Sequence, residues 1–359
     1  MNTLYIRTEA NVTTAMGHMA RCLTIADAVK ALGGQAVFIV AEEGSAKFPK
    51  ERGHEVICLD RKWDDFDGEI EVMTSLIKEK NIKALLVDSY YVNEAYMAAL
   101  NKLTYLSYID DLYDRIWPVS CIINYSIYAE GLPEKAAQYS EDSKDKFCYK
   151  KDYPETDLIL GTKYFPLRKE FLPIVKRQIP ENIKNVLVVT GGSDIYHFML
   201  NILVHIMNDS DLKDVNFNFI CGSFHEDREK LLEMAKDADN ITILNTQPSL
   251  KEVMDRSDIM ISAGGTTLYE AASCGLPAIC FSFADNQHYN VWSFDSEGYA
   301  IYAGDVRNNF SYPSIIDMLK SFDKNKRQLM SDKLQSLVDG KGAERIAKHL
   351  LNKAKKIFL

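Results

Sequence analysis

The sequence has no uninterrupted apolar run approaching the roughly 20 residues that a membrane-spanning helix requires. Its opening residues, MNTLYIRTEANV, lack the basic-then-apolar pattern of a secretion signal. It also lacks an excess of positive charge, because 42 Lys and Arg residues against 51 Asp and Glu residues give a formal net charge of -9. Nucleic-acid carriers and proteins that bind anionic membranes need a basic face. We therefore expect a cytoplasmic protein with no nucleic-acid or membrane partner, and a monomer.

Cysteine pairs of the C-x-x-C type are absent as well, although the sequence contains seven cysteines. An odd, scattered set of cysteines is typical of reduced core residues in a cytoplasmic protein. The sequence therefore lacks cysteine pairs of the kind that bind zinc, and we also expect no cofactor. The composition, with 47% hydrophobic and 26% charged residues over 359 positions, is that of a globular chain long enough for two domains.

Short apolar segments alternate with amphipathic, helix-like segments along both halves of the chain. This alternation predicts parallel strands joined by right-handed crossovers, and hence doubly wound α/β domains. Cys121–Asn124 is predicted to be the last strand of the first half. We predict a Rossmann-like domain over 1–172, a linker over 173–184, a second Rossmann-like domain over 185–340 and a separate amphipathic helix over 341–359. Two such domains should face a central cleft at the carboxyl ends of their sheets.

The segment TTAMGHMARC, residues 13–22, lies between the first predicted strand and the first predicted helix. Gly17 permits a tight turn, and His18 follows at the helix start, where a doubly wound domain places its ligand loop. An imidazole there can act as a general base near neutral pH, or it can simply pack and cap the helix. Arg21, one turn later, is interpreted either as a phosphate contact or as a solvated charge.

Two glycine-rich loops follow strands in the second half. In the segment VVTGGSD, Gly191, Gly192 and Ser193 form a turn whose amides can hold a diphosphate, although such a turn is also ordinary loop chemistry. In the segment SAGGTTLYE, the loop leads into a helix that carries Glu270, which can accept hydrogen bonds from both ribose hydroxyls or be a surface glutamate. The loop residues predicted to contact the diphosphate are Gly264, Gly265, Thr266 and Thr267. Three polar residues after the next strand are candidate sugar or phosphate contacts: Asn286, Gln287 and His288.

Three further strand ends in the first half carry polar side chains. These ends supply Asp88 and Tyr90, then Asp110 and Asp111, and finally Asn124. Paired acids at a strand end can perform acid/base chemistry or hold a divalent metal, but more often they cap the following turn, and we favour that structural role for Asp110 and Asp111.

The order of these motifs resembles the UDP-sugar hydrolases of pseudaminic acid biosynthesis, which belong to the GT-B superfamily. The resemblance is carried by GH-x-x-RC, VDSYY, YIDD, TGGSD and SAGGTTLYEAASCGLP, and most specifically by GTKYFPLRKEF, residues 161–171. It implies that His18 activates the attacking water, that Gly17 lies beside the diphosphate, that Tyr90 lies near the sugar and that Glu270 contacts the nucleotide. It further implies hydrolysis of a UDP-linked diacetamido-trideoxyhexose, feeding synthesis of a nonulosonate, without a metal.

The chain departs from that family at three places near the expected sugar site. Ala15 replaces a glycine, Ser89-Tyr90-Tyr91 replaces His-Tyr-Gly, and Ile123-Asn124-Tyr125 replaces Asp-Gln-Asn. Three alternatives therefore stay open. The chain could be a GT-B glycosyltransferase with a UDP-amino-sugar donor, a nucleotide-sugar binding protein without catalysis, or an epimerising hydrolase.

Overall fold

A computed structural model describes residues 2–11, 16–139, 147–191, 194–221, 225–245 and 249–356. The chain divides into two compact units, each built on one sheet. The first unit comprises Met1–Gly131, Asp145–Lys169 and Lys341–Leu359, and the second comprises Leu132–Lys144 and Glu170–Gly340. No helix among the described residues is long and apolar enough to cross a membrane.

The first unit contains a parallel sheet of seven described strands. The strands are β1 (Thr3–Thr8), β2 (Gln35–Val40), β3 (Glu55–Cys58), β4 (Ala84–Asp88), β5 (Tyr105–Ile109), β6 (Cys121–Asn124) and β7 (Asp157–Leu160). They lie in the order β3-β2-β1-β4-β5-β6-β7. The prediction that the sheet ends at Cys121–Asn124 was wrong, because β7 pairs in parallel with that strand.

The central strands of this sheet are apolar on both faces. Leu85, Leu86 and Val87 of β4 are fully buried, as are Leu4 and Ile6 of β1. Such continuous burial is typical of a parallel sheet covered by helices on both sides. The α-helices of the first unit that precede Glu170 are α1 (Gly17–Ala31), α2 (Glu43–Glu51), α3 (Phe66–Glu79), α4 (Glu94–Asn101) and the short α5 (Tyr149–Asp152).

The second unit contains a parallel sheet of six described strands. They are β8 (Asn185–Val189), β9 (Asn216–Ile220), β10 (Ile241–Leu244), β11 (Ile259–Ala263), β12 (Ala278–Ser282) and β13 (Ile301–Asp305), in the order β10-β9-β8-β11-β12-β13. Its helices are α6 (Phe198–Met207), α7 (Arg228–Ala235), α8 (Leu250–Arg256), α9 (Thr267–Ser273), α10 (Asp285–Ser296), α11 (Tyr312–Lys320) and α12 (Lys324–Leu337). The predicted doubly wound α/β architecture is confirmed in both units.

The last helix, α13 (Gly342–Lys356), belongs to the first unit rather than forming a separate segment as predicted. Ile346, Ala347 and Leu350 on one face of α13 are fully buried. Leu351 also lies close to Gly34, so that a methyl group built on Gly34 would be 3.2 Å from Leu351 Cδ1. The apolar stripe of this helix is therefore part of the core of the first unit.

The segment predicted as a linker, 173–184, is part of the second unit. The guanidinium of Arg177 donates hydrogen bonds to the carbonyl oxygens of Met254 at 3.1 Å and Cys274 at 3.2 Å, and also to that of Ser257. These carbonyls lie at the C-terminal ends of α8 and α9, where a helix leaves acceptors without an internal donor. One of the charges that suggested a linker, Arg177, thus anchors this segment to two helix ends.

Candidate active site

The carboxyl edge of the first sheet brings one helix start and three strand ends together. His18 lies in the first turn of α1, and Asp88 is the last residue of β4. Asp111 and Tyr125 follow the ends of β5 and β6. Because β4, β5 and β6 are neighbours in the sheet, their ends lie side by side. We define the histidine cluster by the six residues His18, Arg21, Asp88, Tyr90, Asp111 and Tyr125.

His18 is held by the carboxylate of Asp88. Its Nδ1 lies 2.6 Å from Asp88 Oδ1, and the side chain of His18 is only 9% exposed. An ionised carboxylate can only accept hydrogen bonds, so Nδ1 of His18 must carry the proton. The other ring nitrogen of a neutral imidazole then has a free lone pair, which is the arrangement that a general base requires.

The side chain of Asp88 is fully buried and accepts hydrogen bonds from several donors. Arg21 Nε donates to its Oδ2 at 2.6 Å and Arg21 Nη2 donates to its Oδ1, while the Cys22 thiol lies 3.4 Å from Oδ2. Burial alone would raise the pKa of Asp88, but Arg21 and His18 outweigh it and hold that pKa well below the usual range. Asp88 is therefore an ionised acceptor at neutral pH.

Arg21 is neither a solvated charge nor an open phosphate contact. It is 8% exposed, and its Nη1 donates to Asp111 Oδ2 at 2.8 Å and to the Tyr125 hydroxyl at 2.7 Å, besides its bonds to Asp88. The expectation of a solvated charge was wrong because acceptors from three strand ends converge on one guanidinium.

Tyr90 completes the histidine cluster. Its hydroxyl donates to Asp111 Oδ2 at 2.9 Å, and its ring meets the His18 ring edge to face at a centroid distance of 4.5 Å. The Tyr90 side chain is 38% exposed, so part of its ring remains open to a ligand beside His18. The structure places Tyr90 in direct contact with His18, and its predicted position near the sugar stays a prediction.

Asn124 and Asp110 lie behind this cluster in a second polar group. Asn124 is 1% exposed; its Oδ1 accepts the backbone N–H of Ser126 at 2.9 Å, and its Nδ2 donates to the Tyr149 hydroxyl at 3.1 Å. Asp110 accepts the backbone N–H of Tyr113 and the Tyr149 hydroxyl, each at 3.0 Å. The structural role favoured for Asp110 is confirmed, and Asn124 stabilises the same turn region rather than offering its amide to a ligand.

Gly17 is the first residue of α1 and directly precedes the histidine. A methyl group built on Gly17 would meet nothing within 4 Å among the described residues. Ala15, one of the departures from the family pattern, lies outside the described residues. The predicted approach of a ligand to the backbone at Gly17 stays a prediction.

In the second unit, the loop after β8 has one predicted glycine within the described residues. Gly191 has a φ of 91°, a conformation that favours glycine. Gly192 and Ser193 lie outside the described residues. Asp194 accepts the backbone N–H groups of Phe198 and Met199 at 2.8 Å each, so its carboxylate caps the start of α6.

The loop after β11 is fixed by α10. Asn290 donates to the Gly264 carbonyl at 2.8 Å and accepts the Tyr269 hydroxyl at 2.6 Å. A methyl group on Gly264 would be 2.3 Å from Val291 Cγ1, whereas one on Gly265 would meet nothing within 4 Å of the described structure. Gly264 is thus required by the packing of α10, and Gly265 leaves space that a ligand can use.

Glu270 lies in the first turn of α9 and is 8% exposed, so the interpretation as a surface glutamate was wrong. Thr266 precedes this helix as an exposed residue, and Thr267 is its first, half-buried residue. Gly264, Gly265, Thr266 and Thr267 occupy consecutive positions at the carboxyl edge of the second sheet, and Glu270 follows three residues later in α9.

The residues 286–288 form the first turns of α10 rather than a loop. Gln287 Oε1 accepts the backbone N–H of Phe283 at 3.0 Å, and His288 Nε2 lies 2.7 Å from Asp305 Oδ2. Asn286 is exposed. The side chains of Gln287 and His288 are therefore engaged within the second unit, and Asn286 keeps its predicted role as a candidate contact.

Two members of the histidine cluster were not among the predicted site residues. Asp111 was interpreted as a turn cap, and Tyr125 was noted only as a departure from the family pattern. The signal that could have found them was the position of each residue directly after a predicted strand, at the edge where His18 was expected.

Comparison with solved structures establishes the fold. A structure of MurG from Acinetobacter baumannii aligns with a TM-score of 0.69 at 12% identity, covering 98% of this chain and 100% of that chain. TcCGT1 in complex with UDP aligns with a TM-score of 0.66 at 12% identity, covering 99% of each chain. The chain has the GT-B fold. Residues 186–350 also match the model of the glycosyltransferase family 28 C-terminal domain.

The curated relatives match this chain over only part of their own length. An uncharacterised protein of Methanocaldococcus jannaschii is 24% identical over 76% of this chain and 54% of its own length. The spore coat polysaccharide biosynthesis protein SpsG of Bacillus subtilis is 27% identical over 35% of this chain and 37% of its own length. A UDP-N-acetylglucosamine–N-acetylmuramyl-(pentapeptide) pyrophosphoryl-undecaprenol N-acetylglucosamine transferase of Proteus mirabilis is 32% identical over 27% of this chain and 28% of its own length. The chain thus spans about half, or less, of the relatives it matches.

Proposed function

We propose that the protein transfers the glycosyl group of a UDP-linked amino sugar, with His18 as the general base. The observation that carries this proposal is the contact between His18 Nδ1 and the buried, ionised Asp88. That contact orients the ring and leaves Nε2 of a neutral imidazole able to take a proton from an acceptor hydroxyl. The acceptor oxygen then bonds to the anomeric carbon, the bond from that carbon to the phosphate oxygen breaks, and UDP leaves with the electron pair.

The second unit is proposed to hold the UDP moiety. The match of residues 186–350 to a glycosyltransferase C-terminal domain supports this assignment, as does the UDP bound by TcCGT1, which has the same fold. Gly265, Thr266 and Thr267 would hold the diphosphate through backbone and hydroxyl groups. Glu270 would accept the ribose hydroxyls, and Asn286 would contact the sugar or a phosphate. Cytoplasmic location and a monomeric state stay predictions.

Hydrolysis is the second candidate, with water in the place of the acceptor hydroxyl. The observation that favours it is GTKYFPLRKEF, residues 161–171, which resembles the hydrolases of pseudaminic acid biosynthesis. The substrate would then be a UDP-linked diacetamido-trideoxyhexose. Transfer stands first because the family model that matches the chain and one curated relative are both described as glycosyltransferases.

The two candidates differ in what receives the sugar. UDP release should be followed for a panel of UDP-amino sugars, first with water alone and then with hydroxyl acceptors, in water enriched in ¹⁸O. Transfer predicts UDP release that depends on the acceptor, whereas hydrolysis predicts acceptor-independent release with ¹⁸O in the free sugar. UDP binding in calorimetry without turnover of any donor would contradict both and would favour a binding protein.

A further inference from the structure

Arg21 has more polar contacts within the protein than the proposed reaction requires of it. A guanidinium has five N–H groups. Those of Arg21 reach both oxygens of Asp88, Asp111 Oδ2 and the Tyr125 hydroxyl, and Nη2 also lies 3.0 Å from His18 Nδ1. Four of the five N–H groups thus have acceptors within the protein, so Arg21 has little hydrogen-bonding capacity left for a phosphate.

We propose that Arg21 is a positioning residue that supplies the countercharge for Asp88, so that Asp88 can orient His18 without driving it into the charged form. This inference rests on the proposed function for its catalytic consequence. Its physical content, which is the protonation state of one imidazole, can be measured without any substrate.

The charge argument follows from burial. The Asp88 carboxylate is fully buried, and a buried carboxylate needs a partner cation. His18 and Arg21 both contact this carboxylate, and either of them could serve as that cation. A guanidinium stays charged at every physiological pH, so Arg21 can supply this cation without a proton on the second ring nitrogen of His18. The close approach of Arg21 Nη2 to His18 Nδ1 further disfavours a second positive charge on the imidazole.

Among the residues that the structure describes, no other group around His18 provides this countercharge. The titratable and charged groups that face the imidazole and Asp88 come from α1 and from the residues at the ends of β4, β5 and β6. They are Arg21, Cys22, Asp88, Tyr90, Asp111 and Tyr125. Arg21 is the one permanent cation among them, and Asp111 adds a second carboxylate on the same guanidinium.

Arg21 also links His18 to Tyr90 through Asp111. The same Asp111 Oδ2 accepts hydrogen bonds from Arg21 at 2.8 Å and from the Tyr90 hydroxyl at 2.9 Å. Tyr90 in turn contacts the His18 ring. One guanidinium therefore contacts both groups that hold the imidazole in place. It binds the Asp88 carboxylate at Nδ1 directly, and it binds Tyr90, whose ring meets the imidazole edge to face, through Asp111.

The test compares Arg21→Met and Arg21→Lys by ¹⁵N NMR of the histidine rings, with the His18 signal assigned from His18→Gln. At pH 7.5 we expect a neutral His18 with the proton on Nδ1 in the unaltered protein. Arg21→Met should convert His18 to the imidazolium form, because the buried carboxylate loses its cation. Arg21→Lys keeps the charge and should keep His18 neutral, although a single ammonium cannot bridge Asp88 and Asp111 as the planar guanidinium of arginine does.

The matched control is Arg7→Met. Arg7 is fully buried in the same unit and pairs with Glu69 and Glu9 rather than with the histidine cluster. Its replacement should lower stability in the same way while the His18 signals stay unchanged. A neutral His18 in folded Arg21→Met would overturn the inference.

The kinetic arm uses a donor that the unaltered protein turns over. Arg21→Met should move the acidic limb of kcat to higher pH by about 1–3 pH units, since loss of a cation favours the protonated base. Arg21→Lys should lower kcat by about 10–100-fold at an unchanged KM, because misplacement of a base is felt in the chemical step. If Arg21→Met does not fold, Arg21→Lys provides the test of the inference. A higher Kd for UDP with an unchanged kcat would show that Arg21 contacts the ligand and would contradict the inference.

The proposed function and the proposed role of Arg21 can each be contradicted independently of the other. If His18 becomes protonated in Arg21→Met while turnover at neutral pH is unaffected, the positioning role of Arg21 stands and His18 is not the base. If the NMR signals do not change but His18→Gln abolishes turnover, the proposed function stands and the role of Arg21 is wrong.

Discussion

Two adjacent aspartates after β5 show how burial and partners separate chemically identical residues. Asp111 is part of the histidine cluster and binds the Arg21 cation. Asp110 is 1% exposed and pairs with the Tyr113 backbone N–H and the Tyr149 hydroxyl instead of a cation. Burial raises the pKa of Asp110 to about 6. At neutral pH this carboxylate is therefore ionised at a cost to the folded state.

Asp110→Asn should remove that cost. Because the folded-state pKa is raised above the unfolded value of about 3.9, the contribution of Asp110 to stability is present below pH 4 and is lost as the pH rises to 6. The difference in unfolding free energy between the variant and the unaltered protein should change by about 2–3 kcal/mol between pH 4 and pH 7, in favour of the variant at pH 7. Urea denaturation at both pH values measures it, and a pH-independent difference would contradict the assignment.

Gly264 and Gly265 are neighbours that should respond differently to the same added methyl group. Gly264→Ala should lower the unfolding free energy by about 1–3 kcal/mol, because Val291 lies in the way. Gly265→Ala should leave stability nearly unchanged but weaken UDP binding, because the methyl group enters the space proposed for the diphosphate. Thermal denaturation and calorimetry with UDP measure both effects. Unchanged UDP affinity in Gly265→Ala would remove this loop from the proposed site.

At the scale of elements, α13 shows how an end segment can be part of a core. Its buried face includes Ile346, Ala347 and Leu350. The amphipathic pattern predicted the helix itself, but not which sheet it covers, because that information lies in the partner surface. The helix should therefore contribute to the stability of the first unit.

Leu350→Ala should lower the unfolding free energy by about 2–5 kcal/mol, the usual cost of a cavity at a fully buried leucine. The matched control is Leu329→Ala on α12, where the leucine is 69% exposed and the change should stay within about 0.5 kcal/mol. Chemical denaturation of both variants measures the difference. Equal effects would mean that α13 is not packed on the first unit.

The sequence predicted most strands but missed elements with a polar surface. β4 and β8 are continuous apolar runs, and a buried parallel strand leaves few alternatives for such a run. The residues DNQHYN at the start of α10 indicated a loop, because the apolar residues that bury this helix, Val291 and Phe294, come later in it. Its polar first turns are stabilised by side-chain contacts such as His288 with Asp305, which periodicity does not reveal.

At the scale of the whole molecule, the strand orders show two doubly wound units, and the comparison with solved structures shows the GT-B fold. The glycine directly before His18 at a helix start predicted a ligand loop there, and the role of His18 as a base stays a prediction. The partners of Arg21 could not be predicted, since Asp88, Asp111 and Tyr125 lie 67, 90 and 104 residues away in the chain. Such a network exists only once the sheet has placed three strand ends together.

The most direct measurement is the rate at which His18→Gln releases UDP from a donor that the unaltered protein turns over. Its control is His54→Gln, which removes a similarly buried histidine that pairs with Asp27 and precedes β3, at the opposite edge of the sheet. We predict that kcat/KM falls by about 10²–10⁴-fold in His18→Gln, as expected for loss of a general base, with UDP affinity and folding unchanged. His54→Gln should keep its turnover. Wild-type UDP release by folded His18→Gln would contradict the assignment of His18 as the base.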